Sequence, residues 1–163
     1  KAIGAANISP EQIKEYLKYG ELDIVQGKYS VLDRAIEEDL FPVCKEYGIT
    51  LQAYSPLEQG LLSGTFPRDY KPIGAQCNKK WFQPDKMQKA MDMMDAWKPL
   101  CEKYNCTIPT LALAWILSQA DFITILNGAN TVPQLEENAK ALQVKLSKED
   151  ADLMRELAIA ADK

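Results

Sequence analysis

Amide, hydroxyl and aromatic side chains recur in this sequence where short apolar runs end. Asn7 and Gln26 each end one run, Tyr54 and Ser55 end a third, and Asn130 lies in the loop after a fourth. Two amides and an aromatic ring suit an uncharged ring that carries an amide, because the amides pair with that amide and Tyr54 stacks on the ring. Turn chemistry alone also explains each residue taken singly. Their recurrence at four strand ends favours a binding site.

The elements that must position these residues follow from the hydrophobic pattern. Four short apolar runs predict β-strands at residues 2–6, 22–26, 49–54 and 122–126. Helices are expected to begin near Ser9, Ala35, Asp85, Thr107, Thr131 and Ser147, with a break at Pro99. The alternation indicates parallel strands with right-handed crossovers. It fits a small doubly wound sheet or half of an eight-stranded barrel, and no G-x-G-x-x-G motif supports the Rossmann arrangement.

Two loops of the sequence have the features of ligand-binding segments. The segment from Ser55 to Pro84 is long for an ordered loop and contains four prolines. Gly128 begins a second loop that runs into the helix at Thr131, and a helix N-terminus attracts phosphate. Trp81 and Phe82 of the long loop either contact a ligand or anchor the loop. The remaining acidic and apolar groups have structural interpretations. Residues 37–39 form a solvated helix start, residues 91–94 a methionine-rich core or interface, and the segment after Thr131 a helix with Leu135, Asn138, Ala139 and Leu142.

Composition excludes several classes of function. The net charge of −4 and the pI near 5.0 argue against binding to nucleic acid or to acidic membranes. The longest apolar run, residues 111–117, is far shorter than the ~20 residues of a membrane span. The 4 cysteines lack metal-site spacing and are expected to be reduced thiols of a cytoplasmic protein. The absence of histidine removes the commonest general base and metal ligand. Because the chain starts directly in a predicted strand, it is expected to be a piece of a longer protein.

These motifs resemble the aldo-keto reductase family, most closely the bacterial members related to the inositol-cluster reductases. The resemblance covers the whole chain and is carried by Ala2-Ile3-Gly4-Ala5-Ala6-Asn7-Ile8-Ser9, Asp23-Ile24-Val25-Gln26, Tyr54-Ser55-Pro56-Leu57, Gly60-Leu61-Leu62-Ser63-Gly64, Ala112-Leu113-Ala114-Trp115 and Gly128-Ala129-Asn130-Thr131. It implies an α/β fold that is the C-terminal half, strands five to eight, of a (β/α)8 TIM barrel. Residues 1–163 would be one partial domain, with residues 55–84 as the long loop after its third strand.

The same resemblance implies a site for NADP or NAD. Asn7 and Gln26 would bind the nicotinamide carboxamide, and Tyr54 would stack on the nicotinamide. The pyrophosphate would be lined by Ser55, Leu57, Gly60, Leu61 and Gly64. The adenosine and its 2′ position would be surrounded by Gly128, Ala129, Asn130, Gln134, Glu137 and Asn138. The family's catalytic tetrad of Asp, Tyr, Lys and His belongs to the other half of the barrel, so no catalytic residue and no metal ligand is assigned to this chain.

Two positions depart from the family pattern. Ala6 stands where the family usually has Ser before the amide-binding Asn, so one hydrogen bond to the carboxamide is lost. The family commonly places Arg or Lys near Asn130 or Gln134 for the 2′-phosphate, and neither position is basic here. A phosphate without a cationic partner loses its charge-assisted bonds, which leaves NAD open as the cofactor. Lys140 supplies the missing cation only if its side chain reaches back more than one helical turn to the 2′ position.

The resemblance implies an NAD(P)-dependent oxidoreductase that reduces carbonyls or oxidises alcohols in the full-length parent. The chain alone is expected to be inactive. The alternative is a non-catalytic half-barrel module that self-associates or acts as a regulatory subunit, because an open half would expose two strand edges and an apolar inner face. A phosphate-binding half of another barrel is a weaker alternative. The expected partners are the nicotinamide cofactor, a small carbonyl substrate, and the missing N-terminal half or a second copy.

Overall fold

The four strands form one parallel sheet in which sequence neighbours are also spatial neighbours. A computed structural model describes residues 1–163, and its sheet has the order β1-β2-β3-β4. The strands are β1 (Gly4–Ala6), β2 (Ile24–Lys28), β3 (Thr50–Tyr54) and β4 (Ile123–Leu126). Each right-handed crossover therefore steps in the same direction, which places the crossover helices on one face. A doubly wound sheet reverses its strand order, so that alternative is wrong and an arc of a barrel remains.

Seven α-helices accompany the strands. They are α1 (Pro10–Tyr16), α2 (Leu40–Tyr47), α3 (Pro84–Ala96), α4 (Lys98–Tyr104), α5 (Ile108–Leu117), α6 (Val132–Ala139) and α7 (Lys148–Ala161). Short 3-10 turns occupy Ala35–Glu37, Glu58–Ser63, Gly74–Asn78, Lys80–Phe82 and Lys140–Gln143. The break predicted near Pro99 is confirmed, because α3 ends at Ala96 and α4 starts two residues later. None of these helices has the length and apolar character needed to cross a bilayer.

Three element boundaries differ from the sequence prediction, each for a local reason. The helix expected from Ala35 begins at Leu40, whose N–H is capped by the Asp39 side chain. Pro42 is then in the first turn, where a missing N–H costs little. Gln83, not Asp85, holds the N-cap position of α3. Strand β2 continues to Lys28, so Gln26 lies within the strand and not at its end.

The two faces of the sheet differ in chemistry. Val25, Leu51 and Ala53 lie on the helix-covered face and are fully buried. The open face carries mainly polar side chains, namely Gln26, Lys28, Thr50, Gln52, Tyr54 and Thr124, together with the apolar Ile24 and Leu126. The expectation of an apolar inner face is therefore wrong, because most apolar residues of the strands alternate onto the covered side.

Exposed apolar side chains gather at the two open edges of the sheet. Beside β1, Tyr19 is 85% exposed, and Ile3 and Tyr16 are also exposed. Beside β4, Leu135 and Leu142 are 59% and 76% exposed. Periodicity identified an apolar face of α6, but no element of this chain packs against it. Both ends of the arc thus present surfaces suited to further βα units.

Candidate functional site

The residues predicted at the strand ends meet at one rim of the sheet. The Tyr54 hydroxyl donates to Asn7 Oδ1 at 2.8 Å across the sheet. The Gln26 side chain instead donates from Nε2 to Gln52 Oε1 at 2.5 Å, one position below the rim. Asn7 and Tyr54 are thus close together, as the sequence predicted, whereas the Gln26 amide nitrogen is already engaged by a neighbouring strand. Gln26 Oε1 makes no hydrogen bond within the chain and is the atom left for a ligand N–H.

The backbone turns left-handed where these strands end. Asn7 has φ 54° and Ser55 has φ 53°, and Glu58, Gln59 and Gly60 follow with positive φ. A left-handed conformation costs a non-glycine residue about 1–3 kcal/mol and occurs preferentially at ligand sites. Such local strain therefore points to the same rim as the polar side chains do.

Beyond the rim, a cleft of about 630 Å³ lies between the loop after β3 and the loop after β4. It contains eight of the predicted cofactor-binding residues: Ser55, Leu57, Gly60, Gly128, Asn130, Gln134, Glu137 and Asn138. Asn7, Gln26, Tyr54 and Ala129 lie outside its lining. Leu61 is fully buried in the core, and Gly64 ends the 3-10 turn with φ 70°, where a Cβ would lie 3.0 Å from Ile108. Leu61 and Gly64 therefore shape the loop from behind the cleft.

Several lining residues were absent from the sequence prediction, among them Gln59, Thr65, Phe66 and Asn127. Asn127 had an available signal, because it immediately follows β4 and occupies the type of position that singled out Asn7. The others belong to the long loop, and its sequence alone does not tell which of its side chains turn toward β4.

A buried carboxylate holds the left-handed loop in place. Glu58 is 5% exposed, accepts a hydrogen bond from Ser30 Oγ at 2.6 Å, and lies 3.0 Å from Lys28 Nζ. Burial by itself would lower the pKa of Lys28, but the bonds to Asp33 and Glu58 outweigh it and raise that pKa. The loop after β2 is therefore tied to the residue that precedes Gln59 and Gly60 in the cleft wall.

The far end of the cleft is closed by side chains of α6. Gln134 Oε1 accepts the backbone N–H of Asn130 at 2.8 Å, while Thr131 caps the helix by accepting the N–H of Gln134. The Gln134 side chain thus braces the turn at Asn130, and it does not accept the backbone N–H of Thr131 as a reciprocal capping box would require.

Glu137 is the only charged side chain that lines this cleft. Bonds from Lys140 and from the Thr107 and Thr110 hydroxyls lower the pKa of Glu137 to about 2, so it is ionised at neutral pH. Lys140 Nζ lies 2.6 Å from Glu137 Oε2 and outside the cleft lining. Lys140, the basic residue considered above for a 2′-phosphate, is therefore paired with a carboxylate.

A second cleft, of about 520 Å³, lies on the other side of Glu58 and is dominated by charges. Arg155 of α7 binds Glu37 through two hydrogen bonds of 2.5 and 2.9 Å, and the Tyr29 hydroxyl donates to the same carboxylate. The interpretation of residues 37–39 as a solvated helix start is therefore wrong for Glu37.

Trp81 and Phe82 are both 3% exposed and anchor the long loop. No group of three or more His, Cys, Asp or Glu side chains is arranged to hold a metal ion.

A singly wound arc of parallel βα units, with polar loops at the carboxyl ends of its strands, is the architecture of one part of a (β/α)8 barrel. Solved structures match this arc. A glycerol dehydrogenase from Gluconobacter oxydans superposes with a TM-score of 0.92 at 26% identity, over 98% of this chain and 49% of that one. A thermostable aldo-keto reductase superposes with a TM-score of 0.71 at 25% identity, over 96% and 48%.

The chain belongs to the aldo/keto reductase family, whose sequence profile matches residues 1–159. An NADH-specific methylglyoxal reductase of Escherichia coli is 59% identical over the whole chain and 50% of its own length. A probable aldo-keto reductase of Glycine max is 32% identical over 92% of this chain and 44% of its own. The chain spans about half the length of the curated relatives that it matches.

Proposed function

We propose that this chain is the C-terminal half, strands five to eight, of a (β/α)8 barrel whose complete protein is an NADH-dependent aldo-keto reductase. The observation that carries the proposal is the cleft beyond β3 and β4, which gathers eight residues that family resemblance assigns to a nicotinamide dinucleotide. The open sheet edges with their exposed apolar side chains support a continuation of the barrel by the other half. The family's catalytic tetrad would then lie in that half.

The residues of this chain fit the parts of a nicotinamide dinucleotide. Asn7 and Gln26 offer amide groups at the rim, and Tyr54, held by Asn7, offers a ring face beside them. Ser55, Leu57 and Gly60 border the part of the cleft next to the rim, where the diphosphate would lie. Gly128, Asn130 and Asn138 border the part near α6, where the adenosine would lie. When bound, the nicotinamide would supply a hydride, and Asn7, Gln26 and Tyr54 would hold its ring at the rim.

We further propose that the cofactor is NADH and not NADPH. A 2′-phosphate at the α6 end of the cleft would meet the ionised Glu137 carboxylate and no free cation, because Lys140 is engaged by that same carboxylate. Like charges at such a site repel, and the phosphate lacks charge-assisted partners. The NADH specificity in the name of the 59% identical relative supports the same choice. That name also makes methylglyoxal, a small 2-oxoaldehyde, the first substrate to test.

The test uses the complete gene product and follows nicotinamide oxidation with methylglyoxal. We expect turnover with NADH and at least tenfold lower kcat/KM with NADPH. Equal use of both cofactors would contradict the NADH proposal, and no turnover with either would contradict the reductase proposal for this substrate. The 163-residue chain by itself is expected to reduce no aldehyde. Robust reductase activity of the isolated chain would contradict the assignment of the tetrad to the other half.

The second candidate is a non-catalytic half barrel that pairs with another copy of itself. Its support is the two unpaired sheet edges, flanked by exposed Tyr19 on one side and exposed Leu135 and Leu142 on the other. Two copies could close an eight-stranded ring about a two-fold axis. The mass of the isolated chain in solution distinguishes the candidates. A stable dimer supports ring closure by two copies. A monomer that binds a separately expressed N-terminal half supports the proposal that this chain is one half of a reductase.

A further inference from the structure

Asn127 has a buried amide nitrogen without a hydrogen-bond partner. It directly follows β4 and lines the cleft between Leu126 and Gly128. Its Nδ2 is one of only two buried side-chain polar atoms in the chain that lack a partner. The other, Trp97 Nε1, belongs to a residue packed in the hydrophobic core, away from this cleft. Among the cleft residues, Asn127 therefore holds a donor that the protein itself does not satisfy.

Asn127 and Ser55 follow the last registered residue pair of β4 and β3. That pair is Tyr54 of β3 with Leu126 of β4, and Ser55 and Asn127, the residues after it, both line the cleft. A Cβ built on the adjacent Gly128 would meet no atom within 4 Å, which leaves the space beside Asn127 open. Asn127 and Ser55 thus lie on the two loops that border this space, and the Asn127 amide nitrogen itself is buried.

We infer that Asn127 donates a hydrogen bond from Nδ2 to the diphosphate of the dinucleotide bound in this cleft. The inference rests on the proposed cofactor function and adds a residue to the cofactor site. A buried donor without an acceptor is destabilising in the unliganded protein, and an anionic oxygen is the acceptor that relieves it most strongly. The position directly after β4, in the cleft that Ser55 also lines, corresponds to the diphosphate and not to the adenosine, which would lie further along toward α6.

Asn127 is therefore expected to destabilise the unliganded protein and to stabilise the liganded protein. Without ligand, the side chain carries the cost of a desolvated amide. With ligand, the same amide makes a charge-assisted bond. Replacing Asn127 by leucine, which has a similar shape and no polar atom, should therefore keep or raise the thermal stability of the unliganded protein while it weakens dinucleotide binding. An amide that served only the folded structure would produce the reverse pattern.

The experiment compares Asn127→Leu, Asn127→Asp and the wild type in the complete gene product. Melting temperature is measured without ligand, and dissociation constants for NADH, ADP and adenosine are measured by calorimetry, with competition for weak ligands. We expect Asn127→Leu to weaken NADH and ADP binding about tenfold, as for the loss of one hydrogen bond to a charged group, and to leave adenosine binding unchanged. Asn127→Asp is expected to weaken the binding of NADH and ADP further, because its carboxylate adds a negative charge beside the anionic diphosphate.

Several outcomes separate this inference from the proposed function. If the wild type does not bind NADH, the cofactor proposal fails and the inference fails with it. If the wild type binds NADH and Asn127→Leu binds it equally well, the inference alone is overturned. A loss of adenosine affinity equal to the loss for ADP would overturn the assignment to the diphosphate. A lower melting temperature of unliganded Asn127→Leu would show that a structural partner, such as a buried water, already satisfies the amide.

Discussion

The two clefts on either side of Glu58 are similar in size but opposite in chemistry. Ten of the 13 residues that line the smaller cleft are charged, whereas Glu137 is the only charged residue among the 16 of the larger one. In the smaller cleft, opposite charges mostly neutralise each other, as in the pairs of Lys28 with Glu58 and of Arg155 with Glu37. The larger cleft is lined instead by polar atoms and left-handed backbone, and the Nδ2 donor of Asn127 has no partner.

This difference separates a structural cluster from a candidate ligand site. Groups that bind each other contribute to holding the loops in place, and a ligand must break those bonds before it can use them. Groups without partners carry a cost in the free protein that a ligand relieves. The larger cleft therefore has the composition expected of a site for an uncharged base and its attached phosphates, and the smaller cleft has that of a clamp between loops and α7.

The largest effect is expected from adding the cation that the larger cleft lacks. Asn130→Arg should raise the preference for NADPH over NADH about 100-fold, because an arginine can make two charge-assisted bonds to a 2′-phosphate. Gln134 Oε1 accepts the backbone N–H of Asn130, and the substitution leaves that N–H in place. The measurement is the ratio of kcat/KM for the two cofactors. Gln143→Arg, which adds the same charge outside the cleft, should leave the ratio unchanged; an equal shift in both variants would contradict the assigned 2′ position.

The next effect concerns stability and should leave the cofactor untouched. Arg155→Met removes the partner of the partly buried Glu37 and the stacking of the guanidinium on Trp115. The expected loss is about 2 kcal/mol in the free energy of unfolding, less than for a fully buried pair because both side chains are partly exposed. Urea unfolding measures it, and NADH affinity should stay within a factor of two. Lys148→Met on the same helix breaks an exposed pair and serves as the control.

A smaller effect should connect the two clefts. Glu58→Gln keeps the shape of the side chain and its acceptor for Ser30, but it removes the ion pair with Lys28. We expect a loss of about 1 kcal/mol in stability and about threefold weaker NADH binding, since the loop that contains Gln59 and Gly60 is held less firmly. Glu38→Gln lines the same charged cleft without an ion pair and is the matched control. Unchanged NADH affinity in Glu58→Gln would show that the clamp does not influence the larger cleft.

The sequence predicted the alternation of strands and helices and the gathering of polar residues at one rim, because both follow from short-range periodicity. It left the strand order open, since hydrophobic pattern does not tell in which direction a crossover steps. Leu135 and Leu142 have helical spacing and are nevertheless exposed, because periodicity detects an apolar face but not the element that covers it. The roles of Gln134 and Asn127 depended on side-chain geometry: one amide is used by its own loop, and the other is left without a partner.

The smallest effect is expected at the one charge that the larger cleft contains. The pKa of Glu137 is lowered from 4.5 to about 2 in the folded protein, so its contribution to stability is fully present above pH 4.5 and is lost as the pH falls toward 2. Glu137→Gln should therefore flatten the decline in melting temperature across this acid range and leave stability at pH 7 slightly lower. It should also improve NADPH binding a few-fold by removing a repulsive carboxylate. Glu136→Gln, a substitution at an exposed residue of the same helix, controls for the loss of charge alone. If melting temperature depended on acid pH in the same way in both variants, the lowered pKa of Glu137 would not explain the effect.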